Sequence, residues 1–143
     1  GALDEMIEYV KTRSTSYTGA KMRDFQAVQY RIAMAAGKID AARHWLRHDC
    51  IEAHDIASAG GTFDTLLKHK YRRNATMAVK MATEAVDILH EMAGANGIYD
   101  HVPLQRRFRD AHAAAGHINF SMDTQMPTWG LVALGGEFKS PTF

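Results

Sequence analysis

The chain has 143 residues, 46% hydrophobic and 23% charged, with 17 basic against 16 acidic side chains and a formal net charge of +1. That is the profile of one soluble globular domain, and it excludes a disordered tail and the basic excess that binding to nucleic acid or an anionic membrane draws on. A single cysteine, Cys50, excludes an internal disulfide scaffold and predicts a reducing, cytoplasmic setting with Cys50 as a small buried hydrophobe.

Residues 2–13 read as an amphipathic helix: Leu3, Met6, Ile7 and Val10 share one face, with Asp4, Glu5, Glu8 and Lys11 opposite. This periodicity begins with no cap or turn leading in, so the start is expected to be a cut inside a larger fold. Turn chemistry follows over 14–23, with Tyr17 and Gly19 among Ser and Thr. Asp24 is the expected N-cap of a long second helix reaching about Ala59. Its seam runs through Phe25, Val28, Ile32, Ala35, Ile39, Ala42 and Leu46, until Gly60 and Gly61 stop it.

Thr62 or Asp64 caps a third helix with Leu67, Tyr71, Asn74, Ala78, Ala85, Leu89 and Met92 in steps of three and four, ending at Gly94. The two long helices are expected to pack as antiparallel neighbours. A short loop, 94–102, leads to Pro103 in the first turn of a fourth helix continuing to about Ser121, and Asp123 caps a last short one before Gly135 and Gly136. Strand alternation is absent and no apolar run approaches the roughly 20 residues that span a bilayer. The fold class is all-α, an antiparallel four-helix bundle with long helices.

The bundle does not carry the paired Glu-x-x-His set of a di-metal carboxylate site, and no metal is expected. His44 and His48 lie one turn apart in a cationic stretch that reads as a solvated basic face, and Asp87 with His90 is an isolated pair. Gly94-Ala95-Asn96-Gly97 offers more than a helix stop, because backbone N–H groups of so compact a segment can approach a phosphate or a ring. The densest stretch is 106–117. There Ala113, Ala114, Ala115 and Gly116 leave helix faces bare before His117, which suits either tight helix packing around a core histidine or a planar group lying against the backbone.

Three blocks resemble one family. Thr12-Arg13, Asp24-Phe25-Gln26-Ala27-Val28-Gln29-Tyr30-Arg31-Ile32-Ala33 with Ile39-Asp40-Ala41-Ala42-Arg43, and Gly94-Ala95-Asn96-Gly97 followed by Pro103-Leu104-Gln105-Arg106-Arg107-Phe108-Arg109-Asp110-Ala111, are similar to the carboxy-terminal helical domain of the acyl-CoA dehydrogenase superfamily. The resemblance covers essentially the whole chain and implies that residues 1–143 are that domain, with an amino-terminal helical domain and a middle β domain preceding it. Such dehydrogenases place a catalytic Glu, then Gly-Thr, about nine residues beyond the Arg of Arg-Asp-Ala; here that region reads Gly116-His117-Ile118-Asn119-Phe120. Abstraction of a proton α to a thioester then lacks its carboxylate base.

From Arg109 to Asp123, and on through Trp129-Gly130, the chain instead resembles oxygenase components of two-component flavin-dependent monooxygenases. That resemblance implies hydroxylation of a phenolic substrate by oxygen through a flavin C4a-hydroperoxide, with reduced flavin, FMN or FAD, delivered by a separate reductase. It implies that His117 is catalytic and, with Phe120, meets the substrate. It also implies that Arg13 and Gln26 reach the flavin phosphate or adenosine side of a neighbouring subunit, and that Ala95, Asn96 and Gly97 touch flavin across that interface, with Glu91 where dehydrogenases have Gln. A homotetramer is the implied assembly, without nucleic acid or membrane. An acyl-CoA dehydrogenase-like flavoprotein with a relocated base and a non-catalytic helical oligomerisation module are the rival expectations.

Overall fold

The computed structural model describes residues 1–139, and among them the chain is all-helical, with one isolated bridge between Ser14 and Lys21 in place of any strand. Five α-helices follow in order: α1 (Ala2–Thr12), α2 (Gln26–Ser58), α3 (Thr65–Ala93), α4 (Pro103–Ala115) and α5 (Met122–Ala133), with 3₁₀ turns at Met22–Asp24, Gly94–Ile98 and Ile118–Phe120. None of the described helices is long and apolar enough to cross a membrane.

Helix α3 is the axis, and the other four pack on it. Its pairing with α2 is antiparallel: Lys38 meets Glu84, Asp49 meets Asn74 and Glu52 meets Lys70, so partner numbers fall along α3 as they rise along α2. Helix α4 also runs antiparallel to α3, with Phe108 on His90 and His112 on Asp87, while α5 lies along the first half of α3 through Trp129 and Arg73. The apolar core gathers where α1, α2, α3 and α4 meet, around Met6, Val10, Ala35, Ala85, Leu89 and Leu104. Alanines at Ala35 and Ala85, both fully buried, let the α2 and α3 backbones approach closely.

Local chemistry sets the ends. The Asp64 carboxylate accepts from the Leu67 amide at 2.7 Å and so starts α3, satisfying one of the amides a helix leaves open. Gly94 closes α3 at φ 57°, a conformation that costs little without a Cβ. Three sequence-based ends move. Phe25, not Asp24, is the N-cap of α2, because a 3₁₀ turn occupies Met22–Asp24 first. Helix α4 stops at Ala115, six residues before the expected Ser121, since Gly116 caps it and His117 swings to an extended conformation at φ −69°, ψ 137°. Ser121, not Asp123, stands at the N-cap of α5.

Burial along α2 is also thinner than its periodicity predicts. Ala35 and Ala42 are buried, but Leu46 is 41% exposed and Cys50 is exposed, correcting the expectation of a buried thiol. A 33-residue helix that leans on α3 along one side leaves its other faces open.

Candidate functional site

His117 sits where α4 has ended and the Ile118–Phe120 turn begins. Its own side chain caps that turn: the Asn119 amide donates to Nδ1 at 3.2 Å. A ring nitrogen that accepts a hydrogen bond carries the lone pair, so the proton of the neutral imidazole resides on Nε2. The residue is exposed, and the Phe120 ring stands 6.0 Å away at 56°. Beneath the turn, the fully buried Thr76 of α3 donates to Arg72 O at 2.9 Å and lies 3.4 Å from Asn119 O, tying the turn to the axis helix. The approach along α4 is bare: Ala113, Ala114 and Gly116 are exposed rather than packed, and Ile118 is 65% exposed. Tight packing around a core histidine is therefore not what the small-residue run does among the described residues.

The second group lies at the opposite end of α4. Thirteen helical residues span about 20 Å, so Pro103 and His117 are separated by roughly that length. Arg13 ends α1, and its guanidinium lies 5.3 Å over the Tyr9 ring, exposed, with no carboxylate paired to it among the described residues. Its carbonyl accepts from the Met22 amide at 2.9 Å, closing the 14–21 loop on itself and bringing the start of α2, with exposed Gln26, back beside the end of α1.

Ala95 and Asn96 ride on the Gly94–Ile98 turn with Gly97 buried beneath. Tyr9 and Asn96 border one apolar cavity of about 80 Å³ together with Met6, Val102 and Leu104. The structure thus brings the Arg13 end of α1 and the 94–98 turn into one neighbourhood, and places His117 and Phe120 apart from both.

A buried polar seam between α2 and α3 was not anticipated. The Asn74 amide donates to both oxygens of Asp49, at 3.1 and 2.9 Å, and its carbonyl accepts from Arg73 Nε at 3.0 Å and Nη2 at 2.8 Å. The Arg73 guanidinium then lies 4.2 Å over the Trp129 ring, clamping α5. The sequence signal was there: Asn74 occupies an inward position of the α3 pattern, and Asp49 continues the seven-residue spacing of Ala35 and Ala42. His44 and His48 do not act together. His48 instead clusters with Asp49 and Glu52 within 4.8 Å, but Asp49 is held by Asn74 and Glu52 by Lys70 at 2.6 Å. That hydrogen bond from Lys70 holds the Glu52 carboxyl below the usual carboxylate range. Burial, together with Glu52 and Asp49, pushes the Tyr71 hydroxyl up to about 12.

Burial and then the charge of Arg72 hold the pKa of His69 below the ordinary histidine value; the ring is 1% exposed and meets Phe138 edge-on at 4.8 Å. A base with a depressed folded pKa binds fewer protons folded than unfolded. Its contribution to stability is therefore complete above about pH 6.5 and is lost as the pH falls below it, by at most about 1.4 kcal/mol per pH unit. Urea unfolding of the chain at pH 7.5 and 5.5 is expected to show this loss, and His69→Gln is expected to reduce it. Glu52 and Glu84, held low by Lys70 and Lys38, weaken only at lower pH, below about 4.5.

Comparison with known proteins gives the family. Residues 1–122 match the family model described as acyl-CoA dehydrogenase, C-terminal domain. The oxygenase subunit HsaA of a flavin-dependent monooxygenase from Rhodococcus jostii is 33% identical over 82% of this chain and 31% of its own length. The oxygenase component of an FADH2-dependent resorcinol hydroxylase from a Rhizobium species is 31% identical over 97% of this chain and 36% of its own. Among solved structures, the 3-HSA hydroxylase of a Rhodococcus species superposes with a TM-score of 0.88 at 28% identity, covering 97% of this chain and 36% of that one. The chain spans about a third of the length of the curated relatives it matches.

Proposed function

Because the chain belongs to the acyl-CoA dehydrogenase C-terminal-domain family, we propose that residues 1–143 are the carboxy-terminal helical domain of a flavin-dependent monooxygenase, its main helices closing an antiparallel four-helix bundle in the assembled subunit. The substrate is a small phenol, the oxidant is molecular oxygen, and reduced flavin, FAD or FMN, comes from a separate reductase. The assembly is a homotetramer in the cytoplasm.

The observation that carries this reading is His117, an exposed imidazole beside an aromatic ring, in the stretch 116–120 where the resemblance to acyl-CoA dehydrogenases implies a catalytic Glu that this chain lacks. With Nδ1 accepting from Asn119, its outward nitrogen is a donor, Nε2–H. Such a group favours binding of the substrate as its phenolate, the phenolic proton passing to solvent; the phenolate's ring carbons are more electron-rich than those of the phenol, and a donor does not suit removal of a carbon-bound proton. Phe120 would lie against the substrate ring, and the bare backbone of 113–116 leaves room for a planar group beside it.

The residues fit a flavin. Arg13 offers a forked, fixed cation with no carboxylate partner among the described residues, which matches a phosphate, and Gln26 stands nearby as a neutral donor and acceptor. Ala95, Asn96 and Gly97 supply a compact turn for the cofactor's edge. When bound, reduced flavin supplies with oxygen the electrophilic oxygen atom: one atom enters the ring as hydroxyl, the other leaves as water, and the flavin is oxidised. The separation of about 20 Å along α4 means that the Arg13, Gln26 and 95–97 group and the His117, Phe120 group address different parts of the assembly, in keeping with one flavin shared between subunits.

Full-length protein supplied with a reductase, NADH, flavin and a panel of phenols under labelled oxygen is expected to place one labelled atom in the product. Label-free product, or turnover of an acyl-CoA thioester without oxygen, would sink the proposal.

A further inference from the structure

A side chain of α3 hydrogen-bonds to the 94–98 turn. His90 of α3 places Nε2 3.1 Å from Gly97 O, and a carbonyl only accepts, so the nitrogen carries the proton. Gly97 is buried directly against this ring: a Cβ built there would stand 2.9 Å from Nε2, 3.2 Å from Cε1 and 3.3 Å from Cδ2. The absence of a side chain at Gly97 and the presence of an imidazole at His90 are therefore two halves of one contact. The ring's position is fixed from its other side by Phe108 of α4, whose centroid lies 4.3 Å away.

Phe108 is itself between two imidazoles, with the His112 centroid at 4.2 Å. His112 is anchored in turn, Nδ1 2.9 Å from Phe108 O and Nε2 3.2 Å from Asp87 Oδ1. Asp87 and His90, one turn apart on α3, thus clamp Phe108 and His112, one turn apart on α4. The sequence reading of Asp87 and His90 as an isolated pair is replaced by two contacts to another helix. The Nε2–Gly97 bond thus joins the α3–α4 clamp to the turn that carries Asn96.

We propose that His90 is a positioning residue: its bond to Gly97 O, with the ring seated on Phe108, fixes the turn through which Asn96 and Gly97 meet the flavin. The inference rests on the assignment of that turn to flavin, and two readouts separate them. In the full-length protein, His90→Phe keeps a ring on Phe108 and removes the donor, whereas His90→Gln keeps a donor amide and removes the ring.

Anaerobic titration with FADH2 and with FMNH2 is expected to show the dissociation constant rising about tenfold in His90→Phe, with His90→Gln nearer wild type. Turnover at saturating reduced flavin is expected to change less than about twofold, because His117 is far from the contact. Hydrogen exchange of the peptide covering 94–102, read without flavin, is expected to quicken about tenfold in His90→Phe and much less in His90→Gln. Gly97→Ala, which drives a methyl into the same ring, is expected to weaken binding in the wild-type background and to add little in His90→Ala.

Unchanged exchange in His90→Phe, or full additivity of Gly97→Ala with His90→Ala, overturns the positioning role. Quickened exchange with unchanged flavin affinity overturns the link from turn to cofactor. Wild-type protein that binds neither FADH2 nor FMNH2 overturns the flavin assignment, while the exchange pattern still decides whether His90 holds the turn.

Discussion

Replacing His117 by Ala in the full-length protein is expected to lower hydroxylated product by about 10²-fold or more, while reduction of flavin by the separate reductase continues at the wild-type rate. The size follows from what is removed: the donor that holds the substrate as its phenolate, the form whose ring carbon attacks. The direction of the hydrogen bond sharpens the test. Nδ1 is committed to the Asn119 amide, so the working atom is Nε2–H, and His117→Asn or His117→Gln, which still donate, are expected to retain more activity than His117→Ala. A carbon-proton base would show no such rescue, since no amide replaces it. Steady-state product formation with uncoupled peroxide measured alongside distinguishes the two, because loss of the donor leaves oxygen consumption in place.

The largest effect on stability is expected at Asn74. Its side chain bridges Asp49 and Arg73, which is stacked on Trp129, so Asn74→Leu strands a buried carboxylate and frees the clamp on α5. Leaving the buried Asp49 carboxylate without the amide that held both its oxygens costs about 1.5–3 kcal/mol, against about 1 kcal/mol for an ordinary hydrogen bond. Urea unfolding followed by helical circular dichroism is expected to show that loss. The double variant Asp49→Leu with Asn74→Leu is expected to recover part of it, because the stranded carboxylate is gone. A double variant less stable than Asn74→Leu would show that Asp49 is tolerated without its partner.

Periodicity made most of the fold legible. Ala78, Ala85, Leu89 and Met92 announce the buried side of α3, and Gly60, Gly61 and Gly94 mark where long helices stop because a chain that must turn sharply needs residues without Cβ. What periodicity could not show was the end of α4. Ala113, Ala114 and Ala115 favour helix by propensity, and the helix yields instead to a local event, the His117 side chain capping the next turn. Asn74 was visible as a member of a seam but not as polar cargo in it, since a period records which way a side chain faces and not what it meets.

The site divides in the same way. Arg13, Gln26, Ala95, Asn96, Gly97, His117 and Phe120 are recognisable as motif positions in the sequence. The roughly 20 Å of α4 between two groups of them comes from the fold. His90 reads in the sequence only as an isolated pair with Asp87, because its partner is a backbone carbonyl seven residues on, and a backbone atom has no letter in a sequence. The exposed Leu46 and Cys50 show the converse: a regular apolar step along α2 does not bury a residue unless another element arrives to cover it.

The redox state of the cofactor that the protein takes up separates a monooxygenase from a dehydrogenase most directly. Full-length protein, titrated anaerobically with FADH2 and FMNH2 and then challenged with acyl-CoA thioesters in the presence of oxidised flavin, is expected to bind one reduced flavin tightly and to leave oxidised flavin unbleached by any thioester. Bleaching of bound flavin by an acyl-CoA, or failure to bind flavin in either redox state, would contradict the monooxygenase reading.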